Sequence, residues 1–114
     1  METIHLTKAE FLKKVCNYEA NPNEWKYEGT VPCIIDFYAT WCGPCKMMGP
    51  VVDNLAEEVK NAKICKLDID ESQQIAGQYG VMSVPTFMVF EKGQVVNKSM
   101  GVMPKESLVK LLEK

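Results

Sequence analysis

The fold of this protein is decided by the stretch Cys33-Ile34-Ile35-Asp36-Phe37-Tyr38-Ala39-Thr40-Trp41-Cys42-Gly43-Pro44-Cys45, in which an apolar run leads into a pair of cysteines. The run from Cys33 to Ala39 carries a single charged residue, Asp36. A strand that is covered on both faces, as in the middle of an α/β sheet, has this nearly unbroken apolar pattern. The sequence therefore predicts a central strand that ends shortly before the cysteine pair.

Strand and helix patterns alternate on both sides of this stretch. Upstream, a strand over residues 3–6 precedes a helix that begins at the capping box Thr7-Lys8-Ala9-Glu10 and ends near Tyr18. Downstream, helical periodicity runs from Gly43 to Lys60, with a kink expected at Pro50. A strand over 62–67 comes next, followed by a short helix that is capped by Asp70 and Gln73 and closed by Gly80. Strands over 86–90 and 94–98 are joined by a turn at Lys92-Gly93. The last helix starts near Pro104 and turns Leu108, Leu111 and Leu112 inward. The order βαβαβαββα predicts parallel early strands and an antiparallel hairpin at the end.

Length and composition restrict the class of protein. The 114 residues, 46% of them hydrophobic and 25% charged, predict a single soluble globular domain spanning residues 1–114. The formal net charge of -2 and the lack of a basic run argue against binding to nucleic acid or to an anionic membrane. No apolar run approaches the ~20 residues that span a bilayer, and the N-terminus lacks signal-peptide features. We therefore expect a cytoplasmic protein.

The position of Cys42 favours a reactive thiol. Cys42 follows the predicted central strand and opens the next helix, where free backbone N–H groups and the helix dipole stabilise an anion. A thiol in this setting ionises more easily, and the thiolate is the species that attacks disulfides. The spacing of three residues returns Cys45 to the same side of the first helical turn, and Pro44 suits a position that needs no N–H.

Other interpretations of a close cysteine pair have to be weighed. Half of a zinc site has the same spacing, but zinc needs two further ligands, and the sequence offers only His5 and no second Cys-x-x-Cys pair. A purely structural disulfide is disfavoured at so short a spacing in a cytoplasmic chain. The other cysteines, Cys16, Cys33 and Cys65, stand among apolar residues; we interpret them as core side chains, with a regulatory role as the alternative.

Several segments together resemble the thioredoxin family. Trp41-Cys42-Gly43-Pro44-Cys45-Lys46, preceded by Asp36-Phe37-Tyr38-Ala39, is similar to its active-site segment, and Val84-Pro85-Thr86 to the segment that holds its cis-proline. Lys66-Leu67-Asp68-Ile69-Asp70 resembles the end of its third strand, and Gly93 and Gly101 fall at its late glycine positions. The resemblance covers nearly the whole chain in the right order. It implies the thioredoxin fold, a three-layer α/β/α arrangement with a mixed five-stranded sheet flanked by four helices.

The resemblance also implies roles for individual residues. Cys42 would be the nucleophile and Cys45 the resolving thiol, with Asp36 moving the proton of Cys45. Lys66 would tune Asp36, although a surface lysine at a strand end explains its pattern nearly as well. For Asp36 itself, the other interpretation is a sheet-edge carboxylate that points to water. Substrate would bind to a flat apolar rim, with residues expected at Trp41, Gly43, Pro44, Val84, Pro85, Gly101 and Val102.

As a member of such a family, the chain would be a protein disulfide reductase with no bound cofactor or metal. Its redox centre would be a Cys42–Cys45 disulfide, and its electrons would come from NADPH through a separate flavoprotein, thioredoxin reductase. Its other partners would be disulfide-containing proteins, and we expect a monomer. Two alternatives stay open: an isomerase or oxidant with the same chemistry, and a redox-independent binding subunit or folding helper. One departure from the family is Tyr38, which stands where many members carry tryptophan.

Overall fold

A computed structural model describes residues 4–5, 7, 32–59, 62–91 and 94–113. Within these ranges, five strands and three helices follow one another as β1 (Ile4–His5), β2 (Cys33–Tyr38), α1 (Gly43–Glu58), β3 (Lys63–Asp68), α2 (Gln73–Gln78), β4 (Thr86–Glu91), β5 (Gln94–Met100) and α3 (Lys105–Glu113). The predicted first helix after Thr7 lies outside the described residues, so three of the four expected helices are seen. That residues 1–114 form one domain stays a prediction.

The five strands form one mixed sheet in the order β1-β3-β2-β4-β5. β1 and β2 both pair with β3 in parallel, while the β2–β4 and β4–β5 pairs are antiparallel. The predicted combination of parallel early strands and a late antiparallel pair is therefore confirmed. β2 is the central strand of the sheet, as its apolar run indicated, because a strand in this position is covered on both faces.

Alternate residues of the central strand supply two separate cores. Cys33, Ile35 and Phe37 point to one face, where they pack with Ile75 of α2. Ile34 belongs to the other face, together with Met48, Val52 and Leu55 of α1 and Leu108 of α3. Helices thus cover both faces, which gives the expected α/β/α layers. Asp36 lies on β2 in register with the Ile34 side of this alternation, and it is only 2% exposed.

Helix α1 carries the predicted apolar face but is shorter than predicted. Met48, Val52 and Leu55 are buried, whereas the helix ends at Glu58 rather than Lys60. Val59 has extended backbone angles and donates its N–H to the carbonyl oxygen of Leu55, which closes the last turn. The helix runs through Pro50, which has no N–H to donate.

The predicted cap of helix α2 is wrong in its residues. Ser72 is the N-cap, and its hydroxyl makes no capping hydrogen bond. The carboxylate of Asp68 instead accepts hydrogen bonds from the backbone N–H groups of Asp70 and Glu71, so it orders the turn that leads to the helix. Gly80 closes α2 with a positive φ of 66°, as predicted for a glycine that follows a helix.

Contacts between helix α3 and its neighbours complete the sheet's second face. Leu108 is fully buried, whereas Leu111 and Leu112 are half-buried. The ammonium group of Lys105 lies 2.7 Å from a carboxylate oxygen of Glu58 on α1. None of the helices in the described ranges is both long and apolar enough to cross a membrane.

Candidate active site

Cys42 and Cys45 are joined by a disulfide at the start of helix α1. Cys42 is the N-cap residue, and its sulfur accepts a hydrogen bond from the N–H of Cys45 at 3.1 Å. The N–H of Cys42 donates to the carbonyl oxygen of Ala39, so the turn after β2 holds the N-cap in place. A sulfur at this position lies at the positive end of the helix dipole, and its thiolate form is therefore favoured after reduction.

The two sulfurs belong to different depressions of the surface. Cys42 lines a groove of about 460 Å³, whose other lining residues are Trp41, Gly43, Pro44, Ile69, Met82, Ser83 and Val84. Cys45 lines a second cleft of about 350 Å³ with Tyr38, Ala39, Thr40, Lys46, Gly49 and Lys66. Each cysteine is only 5% exposed, so access to its sulfur is restricted to its own depression.

The segment around Val84 borders the cysteine pair. The Val84–Pro85 peptide bond is cis, as the resemblance implied, and Val84 packs against Ala39, Cys42 and Cys45. The sulfur of Cys42 lies 3.7 Å from the carbonyl oxygen of Val84. In the described part of the chain, the N–H of Val84 makes no hydrogen bond. This group is therefore available to pair with an extended peptide in the groove.

Three of the predicted rim residues do not line this groove. Pro85 is buried, and its carbonyl oxygen accepts a hydrogen bond from Gly101, which has a positive φ of 93°. Val102 is 52% exposed. Their part in binding substrate stays a prediction, whereas Trp41, Gly43, Pro44 and Val84 do form the walls of the groove.

Two residues beside the groove, Ile69 and Asp70, were missed from the sequence. The indole N–H of Trp41 donates to a carboxylate oxygen of Asp70 at 2.8 Å, which fixes a ring that is 68% exposed. Ile69, Met82 and Ser83 complete the walls, and Met82 is 97% exposed. The signal available in the sequence was the position of Ile69 and Asp70 directly after a strand that lies parallel to β2.

Asp36 is a buried carboxyl group without a hydrogen-bond partner in the described structure. Both of its side-chain oxygens are inaccessible, and the residue occupies the middle of the central strand rather than a sheet edge. Burial raises the pKa of Asp36 to about 7, against the opposing effect of the positive charge of Lys66. A carboxyl group with this pKa exchanges protons at neutral pH, which is the property that a general acid or base requires.

Lys66 lies directly across from Asp36 in the pairing of β2 with β3. Its side chain is half-buried and borders the cleft that contains Cys45. Lys66 is therefore close enough to lower the pKa of Asp36 electrostatically. This supports the interpretation that Lys66 tunes Asp36 over the alternative of a surface lysine at a strand end. The ammonium group itself lies 4.8 Å from the centre of the Tyr38 ring.

Cys33 and Cys65 lie in the core, as their apolar surroundings indicated. Their sulfurs are 3.3 Å apart, and the residues are 1% and 2% exposed. The hydrogen bond with Cys65, together with burial, raises the pKa of Cys33 well above its ordinary value. Because thiolates are the reactive form, this pair is expected to be inert in the folded protein. Cys16 lies outside the described residues.

The site thus offers a dithiol–disulfide pair next to an apolar groove, and the buried Asp36 lies on β2, the strand that leads into this pair. Across the described ranges, no three side chains of His, Cys, Asp or Glu type are grouped so as to hold a metal ion. The chemistry that these residues can perform is thiol–disulfide exchange.

Comparisons with known proteins give a consistent result. The family model described as Thioredoxin matches residues 2–114. A thioredoxin from Bacillus subtilis is 51% identical over 88 residues, which cover 76% of this chain and 83% of that protein. Thioredoxin 1 from Nostoc sp. is 46% identical over 88 residues, or 76% of this chain and 82% of that protein.

Solved structures agree with the sequence comparisons. A mutant thioredoxin from Halobacterium salinarum superimposes with a TM-score of 0.77 at 36% identity, covering 98% of this chain and 88% of that one. A thioredoxin from Nicotiana alata gives a TM-score of 0.78 at 28% identity, with 96% and 88% coverage.

Proposed function

Because this chain belongs to the thioredoxin family, we propose that it reduces disulfides in protein substrates with Cys42 as the attacking thiolate and Cys45 as the resolving thiol. Members of the family are thiol–disulfide oxidoreductases that carry no prosthetic group and use a redox-active disulfide. The assignment of Cys42 as the attacking thiolate and Cys45 as the resolving thiol rests on one observation: Cys42 lines the apolar groove, and Cys45 does not. A substrate disulfide in the groove therefore meets Cys42 first.

The reaction proceeds through two exchanges. The Cys42 thiolate attacks one sulfur of the substrate disulfide, so a mixed disulfide forms and the other substrate sulfur leaves as a thiolate. Cys45 then loses its proton to Asp36 and attacks the Cys42 sulfur. This step releases the second substrate sulfur and leaves the Cys42–Cys45 disulfide, with the substrate reduced by two electrons.

The N–H of Val84 supports binding of the substrate backbone. An extended segment laid beside Val84 would accept this hydrogen bond while its side chains contact Trp41 and Met82. Recognition of this kind gives affinity through main-chain bonds and soft apolar contacts, with little demand on sequence. Pro85, Gly101 and Val102 would extend the same surface.

Further parts of the proposal come from the family. Electrons would reach the Cys42–Cys45 disulfide from NADPH through a thioredoxin reductase, and the substrates would be disulfide-containing proteins. We further propose that the protein acts in the cytoplasm as a monomer. No observation on the described residues favours a redox-independent binding subunit.

Replacing Cys45 by serine should trap substrates on Cys42. Without the resolving thiol, the mixed disulfide persists, and it should appear as a higher-mass adduct that disappears on treatment with dithiothreitol. The measurement is non-reducing electrophoresis and mass spectrometry after incubation with an oxidised protein substrate. Cys42→Ser is the matched control, because Cys45 does not line the groove. Equal trapping by both variants would contradict the division of roles.

A further inference from the structure

The side chain of Lys66 is directed to an aromatic ring rather than to the carboxyl group across from it. Its ammonium nitrogen lies 4.8 Å from the centre of the Tyr38 ring, within the range of a cation–π contact. Lys66 pairs in register with Asp36, and Tyr38 is two residues further along β2, so all three side chains are on the same face of the sheet.

An ion pair between Lys66 and Asp36 is within reach but is not formed. Neighbouring strands lie about 4.8 Å apart, and a lysine stem is long enough to bring its ammonium group to a carboxylate directly across. Both carboxyl oxygens of Asp36 nevertheless have no hydrogen-bond partner in the described structure. The ammonium group thus contacts the ring while the carboxyl group stays unpaired.

Two effects favour the ring over Asp36 as the neighbour of the ammonium group: the cation–π attraction, which Tyr38 supplies, and a lower cost of desolvation. To reach Asp36, Lys66 would have to bring its charge beside a residue that is 2% exposed, at a desolvation cost. Tyr38 is half-buried and lines the open cleft, so an ammonium group over its ring keeps contact with water. The lysine stem packs along the protein while its charge remains at the surface.

We propose that Tyr38 is a positioning residue: its ring holds the Lys66 ammonium group in the cleft and so leaves Asp36 without an ion-pair partner. The inference rests on the proposed function, in which Asp36 exchanges a proton with Cys45. A fully paired carboxylate would hold its negative charge well below neutral pH and would be too weak a base to accept the proton of Cys45. Tyr38, through Lys66, keeps the carboxyl group in its working range.

Few other titratable or charged groups lie near Asp36 and Lys66 in the described structure. From α1, Cys45 and Lys46 line the same cleft, and Cys45 is held in the disulfide. β4 places Phe87 opposite Asp36, and α3 contributes Leu108 to this face. Asp68 on β3 lies across from Tyr38 on β2, but its carboxylate accepts hydrogen bonds from the backbone N–H groups of Asp70 and Glu71. Lys66 is therefore the cation whose position decides the titration of Asp36.

The test is a ¹³C NMR titration of the Asp36 carboxyl group in the oxidised protein, in which Cys42 and Cys45 do not titrate. Tyr38→Leu removes the ring and frees Lys66 to pair with Asp36, so the midpoint should fall by about one pH unit or more. Tyr38→Phe keeps the ring and should stay within a few tenths of the parent value. Tyr38→Met repeats the ring deletion with a longer, unbranched side chain, in case the leucine variant folds poorly.

The Lys66→Met variant should shift the midpoint of the Asp36 titration in the opposite direction. Loss of the positive charge should raise the midpoint, and the double variant with Tyr38→Leu should titrate like Lys66→Met alone, because the ring acts only through the lysine. An unchanged or raised midpoint in both ring deletions would overturn the proposal, as would a Tyr38→Phe shift equal to that of Tyr38→Leu. Since the titration needs no turnover, these results are independent of whether Asp36→Asn alters the pH–rate profile, which tests the proposed function.

Discussion

The Cys42→Ser variant is expected to lose disulfide reduction almost completely. A serine hydroxyl does not ionise near neutral pH and cannot form the mixed disulfide, so the covalent route is closed. The loss should be on the order of 10³-fold or more, as for other enzymes without their nucleophile. The assay is the turbidity of insulin reduced by dithiothreitol, where the variant should match the rate of dithiothreitol alone.

Cys33→Ala is the matched control for this experiment. Cys33 begins strand β2, five residues before the strand ends at Tyr38, which places it roughly 17 Å further from the site along the strand. It is buried in the core and lines neither depression. The control should keep most of its activity once its folding is verified. Near-normal insulin reduction by Cys42→Ser would contradict the proposed mechanism.

The Asp36→Asn variant is expected to be more stable than the parent protein, and increasingly so as the pH rises. In the folded protein the pKa of Asp36 is about 7, which is above the ordinary value of an aspartate in the unfolded chain. At a pH between these two values, the folded state therefore holds a proton on Asp36 that the unfolded state has lost. The contribution of Asp36 to the free energy of unfolding is therefore most favourable below about pH 4 and falls as the pH rises toward 7. Over roughly three pH units this contribution falls by about 4 kcal/mol in the parent, and the asparagine variant does not undergo this loss.

Urea unfolding at pH 4, 6 and 8 measures this difference directly. The gain in free energy of unfolding should be near zero at pH 4 and largest at pH 8. Glu57→Gln, which changes an exposed carboxylate on α1, should show the same pH dependence as the parent. Turnover by Asp36→Asn should be slower at neutral pH, because Cys45 loses its proton acceptor. A gain that is independent of pH, or an unchanged pH–rate profile, would argue against the role of Asp36.

The features that could be predicted from sequence are those set by burial and periodicity. The apolar run around Asp36 indicated a central strand, and the strand order, mixed pairing and buried carboxyl group follow from it. The start of α1 directly after Cys42 was predictable because Pro44 suits the first helical turn. The family motifs added the cis Val84–Pro85 bond and the place of Lys66 beside Asp36.

The features that could not be predicted depend on which of several similar polar groups forms a given hydrogen bond. Asp68 and Asp70 stand close together in one turn, and only the folded geometry gives the first to backbone N–H groups and the second to Trp41. The length of α1 was overestimated because Val59 continues the apolar pattern although its backbone is already extended. The contact between Lys66 and the Tyr38 ring depends on side-chain direction, which sequence spacing leaves open.

The central claim is that the Cys42–Cys45 pair works as a reductant, and its reduction potential tests this most directly. The pair should be equilibrated with glutathione redox buffers and the fraction of disulfide measured. Gly43 and Pro44 between the cysteines match the reducing end of the series, so the account predicts a potential near about -270 mV. A potential near about -120 mV would identify an oxidant and would contradict the account.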